Sequence, residues 1–137
     1  MSEKNAKEAR RAEALKGWKI DVRGYTSDQP VFTPDNKPLI RDGKQVVTQD
    51  NIDVREDLAA MLFHTELRQG PDEMFKAKDL ADKIRASEEF VLLDKQEMDR
   101  IRKSYVLLKG LPERYIEFLS RIRDAEEISL KEDNNEE

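Results

Sequence analysis

Three prolines spaced four apart, Pro30, Pro34 and Pro38, constrain this chain more than any other feature. Each lacks a backbone donor and fixes its own φ, so no helix runs through them. The chain must pass through an extended, turn-rich stretch before the helix-patterned region after residue 50. At the start of that stretch Trp18, Ile20 and Val22 alternate with Lys19, Asp21 and Arg23, which is the period of a strand. Asp35-Asn36 and Asp42-Gly43 are turn dipeptides. Pro38-Leu39-Ile40 and Gln45-Val46-Val47-Thr48 flank the second of them, which predicts a small hairpin turning at Arg41-Asp42-Gly43-Lys44. A lone hairpin is marginal in water, so it has to lie on the helices or on a partner.

After residue 50 the period becomes helical. Asn51 is placed to cap a helix over about 52–68, with Val54, Leu58, Met61, Leu62 and Thr65 on one face and Gly70 ending it. Pro71 suits the first position of a second helix, with Asp72 and Glu73 in its positive first turn and Phe75, Ala77, Leu80, Ala81 and Ile84 in its stripe. Phe90-Val91-Leu92-Leu93 is a short apolar run that crosses the core or adds a strand. Asp94 and Glu97 have the spacing of a capping box. The third helix follows to about Leu108, with Met98, Ile101, Tyr105 and Leu108 on one side. Gly110 then Pro112 set a tight helical hairpin into a fourth helix over about 112–127, carrying Tyr115, Phe118, Leu119 and Ile122. Residues 3–16 also have helix-forming composition, with Gly17 as a stop, but four alanines and one leucine bury little area.

The expected fold is therefore mainly α: a small bundle of about four helices with an N-terminal β-hairpin or extended segment and polar tails. It divides into a basic, partly ordered helix at 1–17, a hairpin segment at 18–50, a helical domain at 51–128 and a disordered acidic tail at 129–137. The expected core is Leu58, Met61, Leu62, Leu80, Ile84, Val91, Leu93, Met98, Ile101, Tyr105, Leu108, Tyr115, Phe118, Leu119 and Ile122. That core is small because 40% of the residues are charged and 37% apolar, against about 25% and 45–50% in ordinary domains. No apolar run is long enough for a membrane span, and no membrane association is expected. Cysteine is absent and there is one histidine, which excludes disulfides, thiolate metal sites and multi-His zinc sites.

No catalytic residue, cofactor site or metal site is assigned, and no enzyme activity is expected. Nucleophile elbow, phosphate loop and dinucleotide fingerprint are all missing. His64 sits beside the apolar face of the first helix with no nameable partner for proton transfer. Adjacent carboxylates such as Glu88-Glu89 and Glu126-Glu127 do not face each other on a helix. Asp94 to Asp99 lacks the alternation and central glycine of a calcium loop.

Charge layout says more. The chain carries −5 overall, but residues 1–19 hold six bases against three acids and residues 95–123 hold eight against four. Residues 124–137 hold seven acids against Lys131. Such asymmetry reads as basic contact surfaces beside an acidic tail. Arg100, Arg102, Lys103, Lys109, Arg121 and Arg123 fall on two helices read as antiparallel, and Arg100 and Lys103, three apart, share a face. A surface of this kind can meet phosphates or an acidic partner.

Two resemblances follow from particular residues. Asn5-Ala6-Lys7, Arg10-Arg11-Ala12-Glu13 and Trp18-Lys19 resemble the arginine-rich peptide of lambdoid-phage antitermination N proteins. The likeness implies RNA contact, with Arg10, Arg11 and Lys19 on phosphates and Trp18 stacking on a base; Lys7 belongs to the same basic run. Gly17 and Glu8 depart from that pattern. Lys37-Pro38, Asp42-Gly43, Thr48 and Asn51, followed by Ile84, Val91, Leu93 and Glu97, are similar to small uncharacterised phage and prophage proteins. That likeness implies phage origin, in the host-cell cytoplasm or the virion, and no chemistry.

The functional expectation is a non-enzymatic interaction protein, either an assembly accessory or a modulator of a host factor. A protein partner is expected, and Phe63 and Phe75, where they fall off the main stripes, are candidates to seed a homo-oligomer interface. The alternative is RNA or DNA binding through Lys7, Arg10, Arg11, Trp18 and Lys19 together with Arg100, Lys103, Lys109, Arg121 and Arg123.

Overall fold

A computed structural model describes residues 16–130. The helix expected over 3–16 and most of the acidic tail, with Lys7, Arg10 and Arg11, lie outside the described residues. Seven strands and four α-helices follow in chain order. They are β1 (Lys16–Asp21), β2 (Tyr25–Pro30), β3 (Ile40–Arg41), β4 (Lys44–Gln45), β5 (Val47–Ile52), α1 (Val54–Ala60), α2 (Pro71–Ala86), β6 (Phe90–Asp94), α3 (Lys95–Tyr105), α4 (Ile116–Arg123) and β7 (Glu126–Ser129).

The fold is mixed α/β, which corrects the expectation of a mainly α bundle. The centre is a three-stranded antiparallel sheet in the order β6-β1-β7. Trp18 stands opposite Leu93 and Ile20 opposite Val91, and these residues are buried. Strand alternation puts them on one face, toward the helices. Leu58, Leu62, Ile84, Met98 and Ile101 close over them from the helical side, fully buried. Trp18, Ile20, Val22 and Ile52 thus join a core expected from the helical half alone. Tyr105, Leu108, Tyr115 and Leu119 pack against it half-buried.

The strand Glu126–Ser129 replaces the end of the expected fourth helix. That helix starts later, at Ile116 after a 3-10 turn over Glu113–Tyr115, and stops at Arg123. The central strand β1 has two edges, and β6 covers only one. Main-chain pairing to the other edge outweighs the weak helical preference of Glu126-Glu127. Gly17, expected as a helix stop, instead lies inside β1. A Cβ there would meet the Leu130 side chain at 2.6–2.8 Å, so the leucine closes over the bare backbone.

The first helix is also shorter than 52–68. Asn51 and Ile52 finish β5, and Asp53 is the actual cap, accepting from the Glu56 N–H at 3.2 Å. After Ala60 the chain tightens into 3-10 turns over Met61–Phe63 and Thr65–Leu67. His64, between them, leaves the helical region with ψ 130°, and its Nδ1 accepts from the Glu66 N–H at 3.1 Å. The third helix ends at Tyr105, short of the expected Leu108, and the Gly110–Pro112 link is longer than a tight hairpin, but two other local signals form as written. Pro71 opens α2. Asp94 and Glu97 close a reciprocal capping box at 2.8 and 2.9 Å.

Residues 25–52 make a second, thinner structure. β2 pairs with β5 from Tyr25 opposite Ile52 to Pro30 opposite Val47. Pro30 sits at the end of its strand, where a missing donor is tolerated. Beyond it β3 and β4 form the expected hairpin, and Asp42 and Gly43 take φ of 52° and 76°. Two successive positive φ values define the type I′ turn that matches strand twist. Among the described residues no helix is long and apolar enough to cross a membrane.

Candidate functional site

The ribbon of residues 25–52 has a fixed base and a bare tip. At the base the Tyr25 hydroxyl donates to the Arg114 carbonyl at 2.8 Å and accepts from the Phe118 N–H at 3.1 Å. Burial pushes the Tyr25 phenol above its ordinary pKa. The Arg121 guanidinium lies 5.2 Å from the Tyr25 ring centre and donates to the carbonyls of Asp21 and Arg23 at 3.1 and 2.6 Å. Arg114 and Asp50 add an ion pair at 3.6 Å. Asp21, between Arg23 and Arg121, is held down to about pKa 2, chiefly by its hydrogen bond from Arg23.

At the tip three apolar pairs come together: Val31-Phe32, Leu39-Ile40 and Val46-Val47. Backbone bonds tie them, from Val31 N–H to Val46 O at 3.0 Å, Leu39 N–H to Val31 O at 2.8 Å and Val46 N–H to Leu39 O at 2.8 Å. In each pair the first residue is half-buried and the second points out, as alternation requires. Phe32 is left 52% exposed, Ile40 60% and Val47 51%. The sequence signalled the hairpin but gave no sign of this outward triplet, because which member of each pair faces out depends on the register.

Of the residues flagged from sequence, the described ones do not gather on one surface. Trp18 is 7% exposed and packs in the core, with the Arg102 guanidinium 5.2 Å from its ring centre. Lys19 reaches over the Phe90 ring, its Nζ 4.2 Å from the centre. Arg100 pairs with Glu73 on α2, and Lys103 stands beside it on the same face of α3. Lys109 is exposed in the link after α3. Arg121, with its side chain 15% exposed, is held by Glu117, Asp21 and the ribbon base. Arg123 pairs with its neighbour Asp124 at 2.8 Å. The expected stripe is thus divided among separate neighbours.

Carboxylates on the helices differ in the same way. Arg85 bonds Glu56 at 3.0 and 2.9 Å and holds that carboxyl below its usual range. Asp57 is shifted the other way, mainly by burial and then by the neighbouring Asp53 and Glu56. Among the described residues no group of three or more His, Asp or Glu side chains stands close enough to hold a metal ion. Chemically, the ribbon offers apolar contact area on a backbone that does not have to be ordered anew, a feature that favours binding.

No family model matches the chain, and neither the curated proteins nor the solved structures compared with it contain a match.

Proposed function

We propose that this protein is a non-enzymatic interaction module that binds another protein through the ribbon of residues 25–52. One observation carries the reading: Phe32, Ile40 and Val47, each more than half exposed, all lie at the tip of a ribbon anchored at its base. Single exposed apolar residues are ordinary on any surface, but three on one small tip concentrate apolar area that a partner wrapping the tip would cover. The ribbon has two strands, so each keeps one unpaired edge, which adds main-chain donors and acceptors for strand pairing. The resemblance to small phage proteins supplies the partner class, an assembly component or a host factor. Nucleic-acid binding through the last two helices loses support, since Arg121 and Arg123 are engaged away from Arg100 and Lys103.

Site-specific photocrosslinking tests the reading. A photoreactive side chain replaces Phe32, Ile40 or, as a control on α2, Lys78, and each variant is exposed to lysate of the cells that make the protein. The same discrete protein adduct from positions 32 and 40, and none from 78, is the expected result. Equal labelling from all three positions, or none from the ribbon, sinks the proposal.

A further inference from the structure

We infer that the cleft between α2 and α3 is a binding site for a small molecule carrying a phosphate or pyrophosphate group. The inference is independent of the ribbon. The cleft encloses about 520 Å³, within the several-hundred Å³ range of small-molecule pockets. Four cations surround it: Arg68, Lys76, Arg100 and Lys103. They come from three separate pieces of chain. Arg100 and Lys103 are one turn apart on α3, Lys76 lies on α2, and Arg68 ends the 3-10 turn before it. Arg68 has a φ of 51°, a left-handed backbone that non-glycine residues seldom adopt. That conformation sets Arg68 on the rim of the cleft.

The charges do not cancel. Glu73 bonds Arg100 and lies 3.7 Å from Lys76. Asp99, also on the cleft wall, pairs with Lys95 at 3.4 Å. Among the described residues the Arg68 and Lys103 side chains have no ion-pair or hydrogen-bond partner. Two carboxylates, Glu73 and Asp99, therefore face four cations, and Glu73 occupies the place an anion's oxygens would take. A phosphate group carries more charge and more acceptor oxygens than Glu73. On entry it displaces that carboxylate from Arg100 and draws in Arg68, Lys76 and Lys103. Leu62, Leu67 and Ala77 supply an apolar wall for the organic part of the ligand. The first turn of α2 opens at the same cleft through Gly70 and adds its positive end.

A compact ligand fits better than a nucleic-acid strand. A strand needs cations spaced along a track. Here Arg102 lies against Trp18, Arg121 against the ribbon base and Arg123 against Asp124. The four cations of the cleft make one focus.

Titration of the full chain with inorganic pyrophosphate, followed by calorimetry and backbone amide NMR shifts, tests the site. Saturable binding is expected, with the largest shifts at residues 68–76 and 100–103. Arg68→Ala with Lys103→Ala is expected to weaken it at least about tenfold, the loss of one or two charge-assisted bonds. Glu73→Gln, which removes the competing carboxylate, is expected to tighten it about threefold or more. Circular dichroism identifies any variant that fails to fold, and Glu73→Gln gives an independent reading in the opposite direction. The inference is overturned by an absence of saturable binding at millimolar pyrophosphate, by binding indifferent to the double substitution, or by weaker binding in Glu73→Gln. A single-stranded oligonucleotide that binds far more tightly than pyrophosphate, with steep salt dependence, overturns it in favour of strand binding.

Discussion

The pair β1–β6 and the pair β2–β5 are built from the same antiparallel ladder and serve opposite ends. In β1–β6 every second residue is a large apolar side chain sealed beneath the helices, Trp18 and Ile20 against Leu93 and Val91. In β2–β5 the alternation is kept but the residues beyond Tyr25 and Ile52 are mainly Thr, Ser, Asp, Gln and Asn, half-buried at most. The first pair is held by burial. The second is held by backbone bonds, a type I′ turn and, at its foot, Tyr25, the buried Ile52 and the Arg114–Asp50 pair. A ladder alone is marginal in water, so the ribbon borrows its order from the body through Tyr25. The comparison teaches that strand geometry is shared, while stability is located where apolar area leaves water.

That contrast can be broken at four points. Ile101→Ala removes a fully buried side chain of the body; a loss of about 2–5 kcal/mol is expected by chemical denaturation. A loss under 1 kcal/mol would mean that the body is not held by this core. Tyr25→Phe strips the hydroxyl that serves Arg114 and Phe118. A loss of about 1–2 kcal/mol is expected, together with faster amide exchange in residues 25–52 than in β1 or α3. Equal acceleration throughout would make the ribbon part of the body.

A third test uses acid. The folded Asp21 carboxyl sits at about 2 against an ordinary 3.8. Its contribution is fully present above about pH 4 and is lost as pH falls toward 2. Asp21→Asn should therefore shift stability near neutrality by on the order of 1 kcal/mol, allowing for solvent screening, and flatten the acid limb of a stability–pH curve. An unchanged limb would disprove the role of Asp21. Smallest of all, Phe32→Ser or Ile40→Ser at the tip should alter stability by no more than about 0.5 kcal/mol while weakening partner capture. A larger thermal shift would place those side chains in a core.

Local signals were legible from sequence: the proline that opens α2, the capping box at Asp94 and Glu97, and the Asp42-Gly43 turn. Each depends on a few adjacent residues and on backbone preferences that travel with them. Long-range pairing was not legible. The stretch Trp18–Val22 was read as a strand, yet nothing in it names 90–94 and 126–129 as its neighbours. Without that pairing the fold reads as mainly α, Glu126–Ser129 reads as the end of a helix, and Trp18 reads as a free stacking ring. The basic residues show the same boundary. Arg100 and Lys103 share a face by spacing alone, whereas the parting of Arg121 and Arg123 from them follows from a tertiary arrangement around Asp21 and Tyr25. Arg68 and Lys76 escaped notice because they are neighbours of Arg100 only across the gap between two helices.

The placement of β1 has a consequence for assembly order. Among the described strands the earliest in the chain is the middle of the three-stranded sheet, and both its flanking strands come from much later, with Leu130 closing over Gly17. During synthesis its two hydrogen-bonding edges wait open while the turns and helices between them form. The hairpin can close on its own contacts at once; the sheet is a late event, governed by encounters as distant in sequence as Trp18 with Leu93 and Glu127.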